Sequence, residues 1–283
     1  MPKPSSKSRG FTLLELLVLL VMVAISAFIA APGFTRVKSN GKAVQCLDNH
    51  RHLALAWQMY AHDDLDQVIN NFSVSGTMQT ISSGQFLNWA NNIMDWSTND
   101  QWGNFNPTNL QTGLFAPYTA GKVGLYKCPA DNYLSAAQLA AGHIARTRSV
   151  SMNGFFGPYD TLGPSTWETG RNTFFSSYRQ WLKVSRVAQP GNTFVFLDEH
   201  PDSMNDGYFL NNPVSAAYWG DIPASLHNGG AVVTFADGHS ELHIWLSSRT
   251  KIPVQFSYFS PAFDSAGRVD YQWLITRSAA QYQ

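Results

Sequence analysis

An apolar run at residues 16–31, set behind a polar and basic leader, constrains this chain more than any other stretch. About 20 apolar residues rising roughly 1.5 Å each have the length that a hydrocarbon core of about 30 Å demands. Lys3, Lys7 and Arg9 precede the run, and Glu15 lies within its first turn. An ionised carboxylate is costly there, so Glu15 belongs at the membrane interface or beside a partner. A secretory signal would place its small-residue cleavage site after the apolar core. In this chain the small residue, Gly10, stands before it, and Phe11 and Glu15 follow.

Gly10, Phe11, Thr12, Leu13 and Glu15 fall in an order that resembles the class III signal of type IV prepilins and type II secretion pseudopilins. A second signature lies far downstream. His227, followed after nine residues by Asp237 and Gly238, resembles the H-x9-D-G motif of a large pilin-like family with that N-terminus. Residues 126–131, 151–154 and 196–207 are similar to recurring segments of the same family. The resemblance implies an α+β, type IV pilin-like fold, with a long N-terminal helix packed on an antiparallel sheet domain with long loops. It implies a leader at 1–10 removed by a prepilin peptidase, a transmembrane and assembly half of the helix at 11–34, and a globular ectodomain at 35–283. Cleavage after Gly10 and N-methylation of Phe11 follow, with Glu15 pairing with the Phe11 amine of a neighbouring subunit. The implied function is a structural subunit of a pilus or secretion pseudopilus, not an enzyme. Its partners would be the peptidase, other pilin or pseudopilin subunits and an inner-membrane assembly platform. Its location would be the inner membrane, N-terminus cytoplasmic and C-terminal domain periplasmic, or a surface pilus after assembly.

The chain has 283 residues, 44% of them apolar, enough to build a substantial core. Lys and Arg number 19, as do Asp and Glu, and no basic stripe follows the leader. Nucleic-acid binding, which needs clustered cations against phosphate, has no support. The 9 Trp, 11 Tyr and 18 Phe point first to a packed β core. Trp89, Trp96 and Trp102 offer an alternative, a sugar-stacking surface.

Helical spacing at Cys46, Leu53, Trp57 and Tyr60 predicts an amphipathic helix over about residues 35–62, after a kink at Pro32 and Gly33. His50 and His52 read as solvated or partly packed residues of that helix. Cys46 and Cys128 are the only cysteines. They are either a disulfide tying the helix to the domain or two unpaired thiols, and a metal site from two cysteines alone lacks ligands. Extended segments are predicted at 123–128, 148–156, 181–187 and 193–197. Asp237-Gly238 between alternating runs at 231–235 and 240–245 predicts a hairpin.

His227 and Asp237 read as a hydrogen-bonded pair fixing that hairpin, since no nucleophile stands in the context a catalytic pair needs. His239 and His243, four apart on a strand, lie too far from each other to share a metal. Asp198, Glu199, Asp202 and Asp206, near a flexible Asn-Asp-Gly loop, form the candidate calcium site. An EF-hand is excluded, because Met204 and Pro213 fall where oxygen ligands are required. The alternative function is therefore a membrane-tethered module binding a glycan or calcium.

Overall fold

The computed structural model describes residues 13–159 and 169–282, without the side chains of residue 15 and residues 23–40. Gly10, Phe11 and the Glu15 carboxylate thus lie outside the described residues. Two compact units are present, Met1–Gly41 and Lys42–Gln283. Helix α1, Leu13–Asp63, begins in the first, where Leu13, Leu14 and residues 16–22 are exposed. It continues without interruption through Pro32 and Gly33. Among the described residues no helix is long and apolar enough to cross a membrane. This overturns the membrane-spanning half expected at 11–34 and the single-pass inner-membrane placement that depended on it.

In the second unit, α1 presents a buried stripe of Cys46, His50, Leu53, Trp57 and Ala61 at spacings of four, three, four and four. Asp48, Arg51, His52 and Asp63 are exposed on the other side. Short helices follow at α2 (Val74–Ser82), α3 (Thr108–Thr112), α4 (Ala116–Thr119) and α5 (Ala136–Ala140), and the long helix α6 (Ser265–Ser278) lies near the C-terminus. Two of them are capped by their own sequence. Ser73 accepts from Gly76 N at α2, and Ser135 with Gln138 forms a capping box at α5.

The strands are β1 (Val150–Asn153), β2 (Phe194–Asp198), β3 (Tyr208–Phe209), β4 (Gly230–Phe235) and β5 (Ser240–Ile244). They form one open sheet in the order β3-β1-β2-β4-β5. Pairing is antiparallel except between β1 and β3, which run parallel. Residues 199–207 carry the chain past β1 to its far edge, so β3 returns in the direction of β1. A mixed sheet without a membrane-spanning helix corrects the pilin-like architecture of an antiparallel sheet on such a helix.

All six residues of β4 are buried, because helices cover both faces of the sheet. On one face Leu53, Ala56 and Trp57 of α1 pack with Val150, Met152, Val195 and Phe196. On the other, Tyr271, Leu274 and Ile275 of α6 pack with Phe194, Leu197, Ala231, Val233 and Phe235. The alternation is regular in β4 and broken in β2, where the register shifts between Phe194 and Phe196. A bulge lets Val195 and Phe196 both face α1.

The β4–β5 hairpin lies where Asp237-Gly238 places it, with Thr234 opposite Ser240. Elsewhere short apolar runs misread. Residues 123–128 contain a 3-10 turn, Val123–Tyr126, and residues 181–187 carry another, Val184–Arg186, beside isolated bridges. Runs this short do not separate strand from turn.

Candidate metal centre

Asp198, the last residue of β2, is the hub of a polar cluster buried between the sheet and α1. It is fully buried, and its Oδ2 accepts the Val232 N–H at 3.1 Å from the neighbouring strand. From α1, the Cys46 thiol donates to the same carboxylate at 3.2 and 3.4 Å. One turn on, His50 Nε2 lies 3.2 Å from Asp198 Oδ1. An ionised carboxylate only accepts, so His50 Nε2 carries the proton shared with Asp198, and Nδ1 lies 2.9 Å from the Thr234 hydroxyl. Thr234 in turn lies 2.9 Å from Ser240 Oγ.

Cys128 enters from a turn. Pro129 presets the first central dihedral, and Asp131 N donates back to Cys128 O at 3.0 Å. Ala130 N points at Cys128 Sγ, 3.4 Å away, and Ser149 Oγ anchors Cys128 N at 2.7 Å. His227 enters from the turn feeding β4. His227 N and Gly230 O are 3.1 Å apart, as are Gly230 N and His227 O, and Asn228 and Gly229 take positive φ between them. His227 Nε2 then lies 3.1 Å from Cys128 Sγ and 3.8 Å from Asp198 Oδ2.

One potential ligand atom each from Cys46, Cys128, Asp198 and His227 falls within 4.8 Å of all the others, and all four residues are buried. Burial opposes charge on every one. At Asp198 it is outweighed by His50, His227 and the Val232 N–H, and the carboxyl is held below its ordinary range. At Cys128 it is outweighed by the hydrogen bond with Cys46 and by His227, and the thiol falls below its ordinary value. Burial and the neighbouring Cys128 and Asp198 instead push the Cys46 thiol up. Burial would lower His227, yet Cys128 and Asp198 raise it. The pocket thus favours negative charge at Cys128 and Asp198 and positive charge at His227, a pattern that a metal ion replaces by displacing protons.

Both cysteines are unbridged, buried thiols. The expected bond between His227 and Asp237 is absent: β4 separates them, and Asp237 Oδ1 instead receives His239 N at 3.1 Å and meets His239 Nδ1 at 2.6 Å. Gly238 takes the hairpin turn at φ +95°. His239 stacks on Phe235 and His243 on Trp273, so neither joins the cluster.

The four acids considered for calcium are not brought together. Asp198 faces α1, whereas Glu199, next along the chain, receives the Ser203 hydroxyl at 2.8 Å. Asp202 Oδ2 accepts Gln255 N, and Asp206 Oδ1 accepts Tyr208 N. Burial pushes Glu199 up to about 8 and Asp206 up to about 6. Trp89 is no sugar platform, being 1% exposed and packed against Tyr126 and Phe196.

His50 was missed as a member of the site because its helix position reads as ordinary packing. Its only signal was that it shares a helix face with Cys46, four residues earlier.

The chain matches no protein-family model, no curated protein and no solved structure. With no relative and no membrane-spanning helix among the described residues, the resemblance to prepilins and pseudopilins is not upheld. The pilus or type II secretion subunit, the membrane-tethered glycan or calcium module and the inner-membrane location fall with it.

Proposed function

We propose that this chain is a non-enzymatic structural domain fastened by one thiolate-bound divalent metal ion, with zinc the ion its donors suit best. The observation that carries this reading is the convergence of Cys46, Cys128, Asp198 and His227 within 4.8 Å. Two sulfurs, an imidazole nitrogen and a carboxylate oxygen match zinc in softness and number. A tetrahedral ion with bonds of about 2.0–2.3 Å has ligand-to-ligand edges of roughly 3.3–3.8 Å. Three of the six spacings among these atoms, 3.1, 3.2 and 3.8 Å, lie close to that range, and all six are within 4.8 Å. Four protein ligands leave no open coordination position, and each residue is at most 1% exposed, which favours a structural over a catalytic ion. Such an ion would join α1, the Cys128 turn, β2 and the entry to β4. His50 and Val232 N would hold the Asp198 carboxylate in place from behind.

The test is elemental analysis of the full chain purified without chelator, paired with thiol titration after unfolding in chelator. About one zinc per chain and two titratable thiols are expected, with zinc lost in Cys128→Ser. A chain with no titratable thiol would show a Cys46–Cys128 disulfide and overturn the reading. So would two thiols with no zinc uptake, or zinc retained by Cys128→Ser.

A further inference from the structure

Away from this cluster, a cavity of about 360 Å³ opens between residues 94–96, residues 201–205, Asp221 and Tyr258. Its volume falls within the range of small-molecule sites. Its lining is one-sided in charge. Asp95, Asp202 and Asp221 contribute to the wall, and no Lys, Arg or His does. Beside the polar Ser203 and Asn205, the rest is aromatic and apolar, chiefly Trp96, Tyr258 and Met204.

Asp202 is the decisive residue. Its side chain is only 1% exposed, yet it lines the cavity. Its Oδ2 accepts Gln255 N at 2.6 Å, while its Oδ1 has no hydrogen-bond partner among the described residues. A buried carboxylate oxygen left unpaired costs free energy that an incoming donor recovers. His200 Nδ1 is 4.0 Å from Oδ2, and the buried Arg146 behind the wall interacts electrostatically with Asp202 without hydrogen-bonding to it. Asp221 is a hydrogen-bonding wall group and not a charge: burial and the nearby Glu199 push its carboxyl well above the ordinary range, and its Oδ2 already accepts Leu210 N at 2.6 Å.

The aromatic wall is fixed before any ligand arrives. Arg146 lies 4.0 Å over Trp96, and Phe256 meets that ring edge-on at 4.9 Å. Tyr258 is held through its hydroxyl, which donates to Trp219 O and Gly220 O at 2.8 and 3.0 Å. Arg146 belongs to a neighbouring pair, with Nη2 3.7 Å from Asp131 Oδ2, and is not among the lining residues.

An unpaired carboxylate oxygen beside aromatic faces suits a cationic N–H donor carried on an apolar chain. A metal ion is a poor fit, since the cavity's carboxylates do not converge to ligand spacing. We propose that this cavity binds an aliphatic amine, with a protonated amino group on Asp202 Oδ1, Asp221 as second acceptor and the carbon chain against Trp96 and Tyr258. Charge-assisted hydrogen bonds would set affinity, and cation–π contact with the rings would add to it.

Isothermal titration of the full chain with butane-1,4-diamine, at constant ionic strength, tests this directly, with butane-1,4-diol and calcium chloride as parallel probes. Saturable one-to-one binding of the diamine alone is expected. Asp202→Asn and Trp96→Leu should each weaken it by about tenfold or more, with circular dichroism unchanged. Absence of saturable diamine binding, or equal binding of the diol, would overturn the proposal. Displacement of the diamine by calcium would reassign the site to a metal ion, and folded variants that bind like the parent would place the amine elsewhere. The probe comparison uses the parent chain, so it decides the matter even if a variant fails to fold.

Discussion

Replacing Glu199 with Gln removes a carboxyl that the fold keeps protonated at neutral pH. Glu199 is 1% exposed, with Oε1 receiving the Ser203 hydroxyl and Oε2 without a partner among the described residues. Burial raises its pKa from 4.5 to about 8, against the pull of Ser151, Ser203 and Arg148. The folded state therefore binds this proton more tightly than the unfolded chain does. Stability from this group is fully present below pH 4.5, and is lost as pH rises through about 8. From pH 7 to pH 9 the unfolded carboxyl stays ionised, while the folded one passes through its pKa. Deprotonation then favours the unfolded state by about one net pH unit, on the order of 1 kcal/mol. Glutamine cannot titrate, so that part of the slope should vanish. The stability at a single pH is a poorer measure, because an unpartnered amide N–H costs about 1–3 kcal/mol. Urea unfolding of parent and variant at pH 7, 8 and 9, at equal metal load, gives the two slopes. Parallel lines would refute a raised Glu199 pKa.

Two packing predictions use the same unfolding assay. Trp57 is 1% exposed and meets Phe156 edge-on at 5.8 Å, so Trp57→Ala should cost about 3–5 kcal/mol. Trp57→Phe should cost less than half of that, since Trp57 Nε1 has no hydrogen bond to lose; equal losses would contradict the packing account. At Gly157, φ is +75° and an added Cβ would stand 2.2 Å from Ile69 O, so Gly157→Ala should lose more than about 2 kcal/mol. Gly142 has φ +82° and open space around it, and Gly142→Ala should lose only about 1 kcal/mol. Similar losses at the two glycines would mean that backbone conformation, and not the clash, sets the cost.

Elements with a local cause could be read from the sequence. The β4–β5 hairpin follows from Asp237-Gly238 between alternating runs, and the buried face of α1 beyond Gly41 follows from the spacing of Cys46, Leu53 and Trp57. The parallel pairing of β3 could not be read, because it depends on where residues 199–207 lead the chain and not on any pattern within β3. Motif resemblance misled more seriously, since the N-terminal pattern and the downstream spacing of His227, Asp237 and Gly238 together carried an entire architecture. The metal centre was present in fragments. Cys46, Cys128, Asp198 and His227 were each singled out, but for a disulfide, for calcium and for a hairpin contact. Cys46 and Asp198 are 152 residues apart and Cys128 and His227 are 99 apart, so no ligand spacing marks them as one set.

What assembles the set is a backbone irregularity in β2. Phe194 packs towards α6, and strict alternation from there would turn Phe196 and Asp198 to the α6 side and Glu199 towards α1. The register shift between Phe194 and Phe196 puts both Val195 and Phe196 on the α1 side, and alternation resumes one residue late. Asp198 thereby reaches Cys46 and His50, while Glu199 is directed to Ser203. Without the bulge, the longer glutamate side chain would meet the two thiols and Asp198 would take its place in the acid-rich region. A single extra residue in one strand thus decides which carboxylate joins the cysteines. Two adjacent acids of similar chemistry gave no means of choosing between them before the sheet register was known.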